Sequence, residues 1–124
     1  TLQSALDAHF SCTSHVDGVN VQQLLEPPEI LIVQLLRSNA VKFKTVTFEA
    51  ELRALQADYS LSGVGVHRPG YSSFSAGHYW ALVQGSGGDW YKCDDMMVQK
   101  LGFDQVRREN PYYLVYVRGK SIYF

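Results

Sequence analysis

The side chains best placed to do chemistry in this chain are a histidine and an aspartate sixteen residues apart, His78 and Asp94. Between them run a β-prone segment, His78–Gln84, the stretch Gly85-Ser86-Gly87-Gly88, and a second β-prone segment, Trp90–Cys93. A glycine-rich turn between two such segments predicts a hairpin over Tyr79–Cys93. In an antiparallel hairpin the start of one strand lies beside the end of its partner. His78 opens the first strand and Asp94 closes the second, so their side chains are expected together at one end of the sheet. An imidazole held by a carboxylate is the base-and-orienter pair of nucleophilic catalysis. The carboxylate fixes the tautomer and steadies the imidazolium, while the imidazole activates a thiol. Gly77, directly before the histidine, leaves room for the close approach of a substrate backbone. A histidine at a strand end and an aspartate in a turn are also common structural features, so the spacing alone keeps a purely structural role open.

The elements that must position this pair are mostly strands. Thr1–Phe10 places Leu2, Leu6 and Phe10 at spacing i, i+4, i+8, which predicts a short amphipathic helix. Ser11–Asn20 is polar and reads as a loop, with a short strand at Val21–Leu25 ended by Pro27 and Pro28. Ile30–Leu36 is an almost unbroken apolar run, as in a buried strand. Val41–Phe48 alternates and reads as a strand or extended segment, and Glu49–Leu55 as a short helix or turn. Tyr59–His67 is a strand, Arg68–Gly77 a Gly/Ser/Pro loop, Phe103–Arg108 a helical turn and Tyr112–Arg118 a final strand. Asp95–Leu101 follows neither period. The expected fold class is α+β: mainly antiparallel β-sheet, one N-terminal helix and a short helix near the end. Residues 1–124 form one domain or part of one.

Bulk properties narrow the function classes. The 124 residues are 46% hydrophobic and 19% charged, a globular balance. The formal net charge is -1, with Lys and Arg dispersed, which argues against nucleic acid and anionic membrane partners. No apolar run approaches a membrane span.

There are two cysteines, Cys12 and Cys93, too few for a disulfide framework and not in a CxxC pair. Free thiols fit an intracellular setting, cytoplasmic or nuclear. Cys12 with His9 and His15 falls short of the about four ligands of a structural zinc site, so no metal or other cofactor is expected. As a nucleophile, Cys93 precedes Asp94 on one strand and should face the other way. Cys12 follows the end of the first helix, where the dipole has the wrong sign to favour a thiolate.

Several stretches resemble the ubiquitin-specific proteases, papain-like deubiquitinases with a fingers, palm and thumb fold. Val64-Gly65-Val66-His67, then Ser75-Ala76-Gly77-His78-Tyr79-Trp80-Ala81-Leu82-Val83, then Trp90-Tyr91-Lys92-Cys93-Asp94-Asp95 resemble the histidine box of that family. Leu25–Arg37, Pro111–Tyr116 and Leu2–Ser11 are similar to further segments of its catalytic domain in the same order. The resemblance implies the C-terminal, palm-like part of such a domain, with very short fingers. It makes His78 the general base, Asp94 its orienter and Asp95 a supporting acid. It makes Pro69–Ala76, with Tyr71 and Phe74, the loop that gates a channel for the C-terminal tail of ubiquitin or a ubiquitin-like modifier, and Gly77 and Tyr79 the lining of that channel. The cysteine box of the family would lie upstream of Thr1 or on a second chain. Two other readings stay open: an inactive ubiquitin-binding or scaffold module, and a compact cysteine protease using Cys12.

Overall fold

A computed structural model describes residues 1–11, 14–16, 19–21, 26–37, 44–70 and 77–119. Its first element is helix α1 (Leu2–Ser11). The strands are β1 (Ser14–Val16), β2 (Val19–Val21), β3 (Ile30–Gln34), β4 (Glu51–Ala54), β5 (Ala57–Pro69), β6 (Gly77–Gln84), β7 (Trp90–Asp94), β8 (Met97–Leu101) and β9 (Pro111–Arg118), with helix α2 (Phe103–Arg107) before the last. β1 and β2 pair with each other. The rest form one antiparallel sheet in the order β3-β9-β5-β6-β7-β8, with β4 beside the first part of β5. The expected α+β class, with a leading helix and a short late one, is the observed architecture.

Period-two alternation decides which side of the sheet holds the core. Tyr59, Leu61, Val64, Leu82, Leu114 and Tyr116 are almost fully buried on one side, together with Leu2 and Leu6 of α1 and Val106 of α2. Burying one such aliphatic side chain contributes roughly 1.5–3 kcal/mol. The Tyr116 phenol is satisfied by donating to the Glu49 carbonyl at 2.9 Å. Burial, then the Glu49 charge, push its pKa far above the usual tyrosine range. Thr1 caps α1 by accepting from the Ser4 N–H at 3.1 Å. The Gln3 amide bonds both the N–H and the carbonyl of Arg53, as a neighbouring strand would, and so ties α1 to β4.

Several expectations are corrected. Phe10 lies 40% exposed, because eight residues of helix drift about 80° from the Leu2 direction. Ser11–Asn20 contains most of the β1–β2 ladder rather than only loop; residues 12–13 and 17–18 lie outside the described residues. Of Val21–Leu25, Val21 ends β2, and residues 22–25 lie outside the described residues. Ile30–Leu36 is not buried on both sides: Ile30 and Ile32 are 59% and 64% exposed, since β3 is an edge strand with one open face. Residues 44–48 join no strand, although Phe48 reaches the core. Glu49–Leu55 is largely strand β4, and part of the undecided Asp95–Leu101 is strand β8.

The β4–β5 turn holds two non-glycine residues in left-handed backbone, Leu55 (φ 52) and Gln56 (φ 63). This conformation costs an L-residue roughly 1–2 kcal/mol. Replacing Leu55-Gln56 by Asn-Gly, the dipeptide suited to two positive φ angles, should therefore stabilise the protein by about 1–2 kcal/mol. Urea unfolding would register this as a higher midpoint at unchanged slope. An unchanged or lower midpoint would refute the strain account.

Candidate active site

The β6–β7 hairpin closes at residues 85–89, where the Gly85 N–H donates to the Asp89 carbonyl at 2.8 Å and the Gly88 N–H to the Gly85 carbonyl at 3.0 Å. Register then runs from Gln84 opposite Trp90 to Ala81 opposite Cys93. Carried one rung further, it sets Asp94 alongside Trp80, with His78 on the adjacent diagonal and on the same side of the sheet. That side is the core side, beyond the reach of the core itself.

The expected pair forms. His78 Nε2 lies 2.5 Å from Asp94 Oδ1. With Nε2 donating to the carboxylate, the neutral ring carries its lone pair on Nδ1, which makes no hydrogen bond among the described residues. The side chains are 45% and 31% exposed, so solvent screens the pair and its contribution to stability is about 0–1 kcal/mol. Asp95 follows in left-handed backbone (φ 52), which aspartate tolerates better than most residues. Its carboxylate completes a cluster in which one ligand atom from each of His78, Asp94 and Asp95 lies within 4.8 Å of the others.

Gly77 adopts φ +132, and a Cβ there would stand 1.9 Å from the Arg68 carbonyl oxygen. The room it provides is used by the chain's own backbone, in the β5–β6 pairing that seats His78 opposite Arg68. Tyr79 points to the other side of the sheet, 51% exposed, with its ring stacked at 4.1 Å on that of His67. Cys93 lies across from Ala81 on this second side, away from the imidazole, as alternation requires. Tyr71, Phe74 and Cys12 lie outside the described residues.

Sequence reasoning overlooked the surroundings of the imidazole. Arg68 is the register partner of His78, and the Trp80 ring lies 5.8 Å from the imidazole. The Lys92 ammonium and the Arg68 guanidinium both lie over that indole, at 4.8 Å and 5.5 Å from its centroid. The available signal was alternation: Trp80 is two residues from His78, and Lys92 two from Asp94.

The profile of the ubiquitin carboxyl-terminal hydrolases matches residues 6–116, and the chain belongs to that family. It is 31% identical to ubiquitin carboxyl-terminal hydrolase 25 of Arabidopsis thaliana, over 90% of this chain and 19% of that protein. It is 32% identical to ubiquitin C-terminal hydrolase 15 of Oryza sativa subsp. japonica, over 87% of this chain and 12% of that protein. The chain thus spans less than a fifth of these relatives. Among solved structures, Ubp8 in the SAGA DUB module superimposes with a TM-score of 0.66 at 27% identity, covering 75% of this chain and 24% of Ubp8. Ubp8 in that module bound to monoubiquitin gives 0.73 at 23% identity, covering 97% and 33%. Among the described residues, no helix is long and apolar enough to cross a membrane.

Proposed function

We propose that this chain carries the general-base half of a thiol-dependent deubiquitinase centre, which hydrolyses the isopeptide bond after the C-terminal glycine of ubiquitin or a ubiquitin-like modifier. The observation that carries this reading is the His78 Nε2–Asp94 Oδ1 bond of 2.5 Å, with Nδ1 left to face a nucleophile. A thiol supplied by a segment or chain beyond these 124 residues gives its proton to Nδ1. The thiolate attacks the carbonyl, and the imidazolium returns that proton to the departing lysine amine. Water, deprotonated by the same nitrogen, then cleaves the thioester. Asp94 holds the ring in the tautomer that both steps need, and Asp95 adds negative charge beside the imidazolium. Tyr79, Gly77 and the loop bearing Tyr71 and Phe74 border the path of the ubiquitin tail.

The open side of the sheet supports a part of a larger catalytic unit. Ile30, Ile32, Tyr79, Val83 and Tyr113 are exposed there on one face, and contiguous exposed apolar side chains of this kind mark a surface for a further segment or chain.

The test is a ubiquitin carrying a thiol-reactive C-terminal group, incubated with the chain alone and with segments bearing a cysteine box. We expect labelling of the added cysteine, at a rate that falls at least about a hundredfold with His78→Ala. Labelling of Cys12 in the chain alone would replace this reading with a compact protease. Tight ubiquitin binding without labelling would make the chain a binding module.

A further inference from the structure

We propose that Trp80 is a positioning residue: its indole holds Arg68 and Lys92 away from Asp94 and so reserves that carboxylate for His78. The inference rests on the functional reading above for its purpose, but not for its test.

The competition follows from register. Lys92 and Asp94 are alternate residues of β7 and project from the same side. Arg68 stands opposite His78 on β5, and β6 alone separates β5 from β7, a gap of about 10 Å that an arginine side chain and a carboxylate can bridge. A lysine or arginine bears a full charge at neutral pH, and the charge-assisted bond it can make to a carboxylate is a strong one. On charge alone, Asp94 should have gone to a cation. Yet among the described residues Asp94 bonds His78, and neither Arg68 nor Lys92 forms an ion pair. Both cations lie instead over the face of one indole, which attracts them through its ring quadrupole.

The indole nitrogen adds an independent hint. Trp80 Nε1 is buried and finds no hydrogen-bond partner among the described residues, so its N–H is tied to none of them. What it contributes is its face, set beside Asp94 by register and 5.8 Å from the His78 ring.

The experiment reads the His78 ring by nitrogen-15 NMR on the chain as it stands, without ubiquitin. The quantity is the solvent-exchange rate of the Nε2 proton held by Asp94. Trp80→Leu keeps apolar bulk and removes the π face; Trp80→Phe keeps a π face. We expect exchange to quicken about tenfold in Trp80→Leu, the bias that two cation–π contacts supply, and to change far less in Trp80→Phe. Adding Arg68→Gln and Lys92→Gln to Trp80→Leu should restore the slow rate, because the competitors are gone. A purely packing role would not be rescued in this way. Equal rates in the Leu and Phe variants, or no recovery on removing the two cations, would overturn the proposal. Because no substrate enters the measurement, its failure is separable from failure of the deubiquitinase reading, which the ubiquitin probe decides.

Discussion

Replacing Gly77 by alanine is expected to unseat the first residues of β6 and displace His78 from Asp94. Gly77 has φ +132, a region that residues with a side chain rarely enter. The new methyl would also meet two backbone groups, the Arg68 oxygen at 1.9 Å and the Gly70 nitrogen at 2.9 Å. No rotamer change relieves a clash with main chain. The strand must shift, and the pairings of Pro69 with Gly77 and Arg68 with His78 are the ones that give way. Strained backbone costs roughly 1–3 kcal/mol and the clash adds to it, so the loss should be about 3 kcal/mol or be relieved by local detachment of the strand end. Urea unfolding distinguishes the two outcomes, and the Nε2 proton of His78 should be lost to exchange in either. Wild-type stability together with an intact proton signal would show that the backbone account is wrong.

Asp94→Asn should behave in the opposite way, with small cost to the fold and large cost to chemistry. Asp94 and His78 are substantially exposed and make a single contact with each other, so stability should change by less than about 1 kcal/mol. An amide can offer the imidazole a donor where the carboxylate only accepts, which favours the wrong tautomer and leaves the imidazolium without a counter-charge. In a complex that supplies the thiol, turnover should fall about 10²–10⁴-fold, mostly in kcat. Near-normal turnover with a large stability loss would reassign the pair to a structural role.

How much of this could be read from residues alone depended on the kind of signal. The β6–β7 hairpin was legible because Gly85–Gly88 and the flanking aromatic and β-branched residues agree, and with it came the juxtaposition of His78 and Asp94. β9 was legible for the same reason. β8 was not: four of its five residues are exposed, so no burial pattern marks them, and pairing with β7 is what makes them a strand. β4 was hidden because its turn is Leu55-Gln56, which carries none of the usual turn chemistry. Gly77 was noticed as a place of close approach, but only the fold shows that the approaching backbone is that of Arg68. The position of the two cations over Trp80 is a side-chain arrangement that spacing could bring near but not orient.

The dyad is carried entirely by one hairpin, with its two members tied by local register. Opening and closing of a larger enzyme around this sheet would therefore move the imidazole and carboxylate as a single rigid body. The adjustable coordinate is the gap between Nδ1 and the incoming sulfur, and control of such an enzyme falls on that gap, with the imidazole already oriented before the nucleophile arrives.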